Sequence, residues 1–301
     1  TYIKQIYKVW LFLFLALSSD ILFEVTFGHN IVGNISDYPG RIASFFGDEL
    51  VVGAFYHGFV LFFLSYLILR KSNIYTLITA IILILLISFL IGERSNFIKL
   101  FLSVVIFASL AIKVNYKLKI ISFLIVITSL FIIINSNSFY KTRYFQQIKT
   151  LFSLNGYSDY MKKSQYGAHR DAAIQILKEN LIFGVGVKNF RHESGKKKYE
   201  NKEFKKTDVR QATHPHQIHY EFLSETGIFG YFSFLIFIFV SLYHGIKSYI
   251  KTKNLYQLSG IIFILTSLLP LLPSGSFLST FSSAIFWLNF AIMNAYILPK
   301  S

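Results

Sequence analysis

The residues best suited to chemistry lie between Thr213 and Gly230, in the run Thr-His-Pro-His-Gln-Ile-His-Tyr-Glu-Phe-Leu-Ser-Glu-Thr-Gly-Ile-Phe-Gly. Three of the eight histidines, His214, His216 and His219, fall within six residues, and Glu221 and Glu225 follow four apart. A neutral imidazole with a pKa near ~6.5 takes a proton from a hydroxyl at neutral pH, which makes His216 a candidate general base. Imidazole and carboxylate are also zinc ligands, although no His-Glu-x-x-His pattern is present. Capping or lining a helix start is the third reading of the same histidines. Glu221 and Glu225 share a helical face, so either can orient an imidazole or act as a base itself. Pro215 suits the first turn of a helix, where its missing N–H is no loss, and that helix is expected to run on into Tyr231–Tyr243.

Four arginines supply the complementary charge. Arg94 sits in the short turn Gly92-Glu93-Arg94-Ser95, Arg41 precedes the second apolar run, Arg170 opens a helical pattern, and Arg210 stands four residues before His214. A guanidinium binds phosphate oxygens through a two-pronged fork. Each arginine also has a plainer reading: Arg94 pairs with Glu93 or anchors at the interface, Arg41 bridges to Asp48 or Glu49, and Arg170 is balanced by Asp171. Taken together, the cations and the histidine suit sugar transfer. A sugar leaving a lipid diphosphate exposes a diphosphate anion, which a metal ion or fixed cations must neutralise. No Asp-x-Asp pair stands among the residues expected on the same side, so the arginines are expected to do this without metal or other cofactor.

What must position these residues is a set of apolar segments. Of 301 residues, 53% are apolar, 18% aromatic and 15% charged, against about a quarter charged in a soluble domain. Eight apolar segments are expected to form helices, at 8–27, 50–69, 73–91, 97–112, 118–135, 217–244, 255–272 and 277–298, several near the ~20 residues a bilayer crossing needs. The first is the weakest, because Asp20 and Glu24 interrupt it. Lys4, Lys8 and the apolar run Val9–Leu17 also resemble a signal peptide, and Thr1 in place of Met fits a piece of a longer protein. With the N-terminus cytoplasmic, five clusters of Lys/Arg fall on one side: Lys4/Lys8, Arg70/Lys71, Lys113/Lys117/Lys119, Lys247/Lys251/Lys253 and Lys300.

The expected organisation is therefore helices one to five in 1–135, an outer loop domain in 136–216, and helices six to eight in 217–301. The loop domain carries 16 Lys/Arg against 7 Asp/Glu between Ser136 and Pro215, a net of +9. Tethered between spans, such a charge is expected to meet anionic lipids or lipid-linked phosphates rather than nucleic acid. Within it, Gln165–Asn180 has apolar residues at helical spacing, Phe183-Gly184-Val185-Gly186-Val187 suits a turn, and the Lys-rich stretch Ser194–Asp208 is expected to be mobile. With no cysteine, neither disulfides nor thiolate metal sites are possible.

His214-Pro215-His216-Gln217 followed by Glu225-Thr226-Gly227-Ile228-Phe229-Gly230 resembles the His-Pro-His-Asn … Glu-x-Gly-x-x-Gly signature of the bacterial O-antigen ligase and O-antigen polymerase superfamily (WaaL-like and Wzy-like membrane proteins). Arg170, then Phe183-Gly184-Val185-Gly186 and Phe190, are similar to the element that precedes it. Gly92-Glu93-Arg94-Ser95 resembles the short Arg-bearing periplasmic turn, and the stretch from Gly40-Arg41 to Leu50 the first periplasmic loop of polymerase-like members. Gln217 departs from the usual Asn but keeps an amide.

The resemblance implies an all-α integral membrane enzyme of the bacterial inner membrane, a glycosyltransferase of the GT-C type with its active site on the periplasmic face. Its donor would be an undecaprenyl-diphosphate-linked glycan, and its acceptor a lipid A-core or a second lipid-linked glycan. Arg94 and Arg170 would bind the diphosphate, and His216 would activate the acceptor. Arg41, Arg210, His214 and Glu225 would contact substrate. Members have ten or more spans, so eight imply missing N-terminal helices. The competing classes are a transporter or flippase of lipid-linked oligosaccharide, which needs ionisable residues in mid-span, and a non-catalytic membrane scaffold.

Overall fold

A computed structural model describes residues 2–47, 51–113, 115–136, 140–146, 149, 153–204 and 207–297. Asp48, Glu49 and Lys300 lie outside the described residues. Among those described there is no strand. Helices run over Tyr2–Phe27 (α1), Val52–Leu69 (α2), Ile74–Leu90 (α3), Arg94–Ala111 (α4), Tyr116–Ser136 (α5), Gly156–Lys163 (α6), Gln165–Glu179 (α7), Ile218–Thr252 (α8), Leu255–Ser267 (α9) and Thr280–Ala295 (α10).

Each of the eight apolar segments overlaps a helix. Five helices are long and apolar enough to cross a membrane: α1, α2, α4, α5 and α8. The helices α3, α9 and α10 are shorter, at 17, 13 and 16 residues. The apolar run through 272 does not stay helical past Ser267, because Pro270 disfavours helical backbone before it. The Leu268 and Pro270 carbonyls beyond that end accept from His219 and Gln217.

The chain divides into two units: 1–135 with 244–267 and 285–301, and 136–243 with 268–284. In the first, α1 packs on α2 through rings, with Phe14 on Tyr56 at 4.9 Å and Trp10 on Phe59 at 5.5 Å. The helices α2, α4 and α9 are joined by hydroxyls and an imidazole. His57 Nε2 lies 2.8 Å from Ser103 Oγ and 3.2 Å from Thr266 Oγ1, while Ser65 and Ser259 meet at 2.8 Å. Where tails and side chains are equally apolar, such polar contacts supply helix association that hydrophobicity alone does not.

Asp20 and Glu24, which weaken the first segment when read as sequence, are both buried. Glu24 accepts the backbone N–H groups of Ala43 (3.1 Å) and Ser44 (2.6 Å), and Asp20 accepts the N–H of Ile31 and the Ser44 hydroxyl. Their oxygens are satisfied by holding down the loop that carries Arg41.

In the second unit, α7 buries Ala168, Ala172, Ala173 and Ile176 at helical spacing, with Phe190 and Tyr199 closing the cluster. Within the described part of the Lys-rich stretch, Ser194 and Tyr199 are anchored while the lysines stay exposed. Tyr199 is buried, and Lys196 and Lys198 reach Glu193 and Glu179 at 2.6 and 2.5 Å.

Candidate functional site

In the second unit the chain turns sharply before α8. Pro215 is not in the helix: α8 begins at Ile218, and His216 takes a left-handed backbone with φ of 55°. Histidine tolerates that region better than bulky or branched residues do. The helix start is made by Gln217 instead. Its Oε1 accepts the N–H of Tyr220 at 3.0 Å, the geometry of an N-cap, and its Nε2 donates to the carbonyl of Pro270 at 2.7 Å. Both ends of the Gln217 side-chain amide are therefore engaged. The carbonyl of His216 accepts from the N–H of Ser274 at 2.9 Å, which fixes the turn from the other side.

This turn places His216 among rings. His214 lies 4.1 Å away centroid to centroid, His169 stacks at 5.1 Å and 25°, and Tyr166 presents its edge at 5.6 Å. Tyr166 and His169 are three apart on α7 and so share a face. His169 was not among the sequence candidates. The only sequence signal was its place beside Arg170 on the amphipathic pattern. Its Nε2 donates to the Val209 carbonyl at 2.9 Å, so in the neutral ring Nδ1 carries the lone pair.

Burial comes first in lowering the His216 pKa to about 3, and the neighbouring His214 and His169 push it the same way. Burial likewise lowers His214 to about 4, with His169 and then Arg191 adding to the effect. His169 is lowered by burial as well. All three imidazoles are neutral at pH 7. Among the described residues none hydrogen-bonds a ring nitrogen of His216, which leaves its lone pair available. His219 is engaged otherwise, between the Leu268 carbonyl and the Tyr231 hydroxyl, each at 2.9 Å.

Arg170 follows His169 on α7. Its guanidinium donates to the Tyr157 hydroxyl at 3.3 Å and lies 5.2 Å from the Tyr220 ring centroid. Asp171 does not balance it but accepts from the side-chain amides of Gln175 and Asn201. Arg210 donates to the carbonyls of Gly195 (2.8 Å) and Lys196 (3.2 Å), clamping the Lys-rich turn. Glu225 is buried and accepts the N–H groups of Lys188 at 2.6 Å and Phe190 at 3.2 Å. Its neighbour Glu221 accepts from Ser276 and from the N–H of Phe277. Both carboxylates hold loops.

Glu225 also marks the place where two motifs lock together. Val185 and Gly186 donate to the carbonyls of Ser224 and Glu225, while Ile228 and Phe229 donate to those of Leu181 and Ile182. This pairing needs the break in α8 at Gly227, whose φ of 66° and ψ of −172° belong to a region that is essentially glycine's alone. A Cβ on Gly184 would land on the Glu225 backbone, and one on Gly227 on the Ile182 carbonyl.

In the first unit, Arg41, Arg94 and a buried carboxylate come from the two turns that meet where Ile42 donates to the Ile91 carbonyl at 3.1 Å. Glu93 accepts from the N–H of Gly53 (3.2 Å) and from Asn96 (2.5 Å). Burial pushes its carboxyl up, while Arg41 first, and Lys99 more weakly, pull it back down. Lys99, one turn into α4, is itself buried and was missed by sequence reasoning because it reads as one more residue of an apolar run. Arg94 is the first residue of α4, half-buried. Among the described residues, no group of three His, Asp or Glu side chains is placed to hold a metal ion.

Residues 51–235 match the O-antigen ligase family. The chain belongs to that family. The match runs from the start of α2, through the Arg94 turn and the histidine cluster, to the residues just past Gly230. Function of the O-antigen ligase and polymerase type, a membrane location and lipid-linked glycan partners follow in general from this membership. A search of curated proteins gives no match.

Proposed function

We propose that this O-antigen ligase family member transfers glycan from undecaprenyl diphosphate to an acceptor hydroxyl at the periplasmic face of the inner membrane, without metal. The observation that carries the reading is His216: an imidazole kept neutral by burial among Tyr166, His169 and His214, on a turn held by the Ser274 N–H, with no ring nitrogen bonded among the described residues. It takes the proton of the acceptor hydroxyl as the oxygen attacks the anomeric carbon. The bond from that carbon to the diphosphate breaks, and the diphosphate leaves with its charge held by guanidinium, a role for which Arg170 and Arg94 are the candidates. Such a base contributes about 10²–10⁴-fold.

A base whose pKa is far below the working pH is weak, and this site has a remedy. The donor's diphosphate brings negative charge, which raises the pKa of a nearby imidazole. Donor binding therefore strengthens the base that donor chemistry needs. Arg41, His214 and the loops held by Arg210 and Glu225 complete the substrate contacts.

The test is transfer in proteoliposomes with undecaprenyl-diphosphate glycan as donor and lipid A-core or a second lipid-linked glycan as acceptor. His216→Ala abolishes transfer while donor binding and expression persist, and EDTA leaves the wild-type rate unchanged. Unaltered transfer in the variant removes the base. The two acceptors separate ligase from polymerase. The buried Lys99 and His57 within α4 and α2 favour a second reading, a transporter or flippase of lipid-linked oligosaccharide, since ionisable groups in spans mark pathways. In that case His216→Ala leaves glycan translocation intact and no transfer is seen in any protein.

A further inference from the structure

The segment after α7 carries apolar side chains outward: Leu181, Ile182 and Phe183 are 52%, 56% and 72% exposed, and Val187 follows at 56%. A water-facing loop has no reason to order such side chains. This one is held firmly, with its backbone paired to Ser224, Glu225, Ile228 and Phe229 at the break in α8 and with the Phe183 ring 6.0 Å from that of Phe229. Phe229 and Phe232, themselves 65% and 56% exposed, continue the same apolar surface onto α8.

The length of α8 says what covers this surface. From Gly227 to Lys247 there are 20 residues, or about 30 Å at ~1.5 Å per residue, the thickness of a bilayer's hydrocarbon core. With Lys247, Lys251 and Lys253 at one head-group layer, the break at Gly227 falls at the other. The exposed Lys178 and Lys188 flank the loop, as cations at a lipid boundary do. Pairing across the α8 break also satisfies part of the loop's backbone, which lowers the cost of leaving water. Gly184, Val185 and Gly186 donate, and the carbonyls of Leu181 and Ile182 accept.

We propose that residues 181–187 form a lipid-embedded finger, inserted into the leaflet opposite Lys247, which seats the second unit on the bilayer surface. The occupant of this apolar face is lipid, with anionic head groups drawn to Lys178 and Lys188. The histidine turn lies on the same unit, and the finger fixes the depth at which it works.

Because the chain has no cysteine, single spin labels report on this directly in the full chain reconstituted in vesicles containing anionic lipid. Nitroxides are placed at Phe183→Cys and Ile182→Cys, with Phe237→Cys on α8 as the lipid reference and Lys197→Cys as the aqueous one. Collisions with oxygen, which partitions into lipid, and with a water-soluble nickel chelate are compared. The finger positions are expected to side with Phe237→Cys, several-fold more accessible to oxygen than to nickel, at a shallower depth. Nickel accessibility equal to that at Lys197→Cys puts the loop in water and overturns the proposal. Protection from both reagents means that protein, not lipid, covers the face, and overturns it as well.

Discussion

At the residue scale, the imidazole of His216 is set by what surrounds it. Burial, then His214 and His169, keep the ring uncharged well below the usual histidine range. Because the shift is downward, the base form persists as pH falls. kcat/KM for transfer is expected to show no loss near pH ~6.5 and to hold to about pH 5, read from initial rates across that range. His169→Ala removes one of the two neighbouring rings and admits water, so the acid limb moves up toward ~6.5 while the rate at pH 8 changes only a few-fold. A purely structural loss would lower the rate at every pH alike. His214 and His216 were legible as candidates because they stand together in sequence. His169 was not, since 47 positions separate it from the ring it stacks on.

The elements make the site by interlocking. Gly227 breaks α8 so that Ile228 and Phe229 pair with the loop after α7, and any side chain there is both strained and obstructed. Gly227→Ala is expected to destabilise by about 2 kcal/mol or more, seen as a lower Tm and as faster hydrogen exchange over 181–190. Glu24 offers a finer test. Gln cannot accept both N–H groups that Glu24 now holds, a loss of about 1–3 kcal/mol to the Arg41 loop. Glu24→Gln should therefore raise the KM for donor more than it lowers kcat. Element positions were plain from the apolar runs, each of which overlaps a helix. Element ends were not. Pro215 looked like a first helical turn, but its neighbour's left-handed backbone and the cap made by Gln217 move the start to Ile218. Asp20 and Glu24 looked like flaws in a span, because their partners Ile31, Ala43 and Ser44 lie beyond its end.

At the scale of the molecule, the proposed mechanism assigns the leaving group's charge to guanidiniums. Arg94→Ala and Arg170→Ala are each expected to raise the KM for the diphosphate donor and to lower kcat in the proteoliposome assay. An unchanged rate removes that arginine from the role. Cysteine labelling applied from either side of the membrane reads topology: Lys71→Cys and Lys251→Cys are expected to label together, and Lys197→Cys from the opposite face. Family membership was legible in the order of short motifs. The polar contacts within the first unit, Lys99 and His57 among them, were not, because single polar residues vanish in a long apolar stretch.

The locked pairing between 181–186 and 224–229 also dictates an order of events during synthesis. The segment leaving the ribosome first lacks the strap that completes it until some forty further residues have followed, and Gln217 and His219 wait still longer for the carbonyls after α9. A fragment ending before Gly227 therefore has nothing to close upon, and excising 136–216 as a water-soluble domain should yield an unfolded, protease-sensitive chain. The histidine turn is therefore finished late: the Ser274 N–H that holds the His216 carbonyl is made only after α8 and α9.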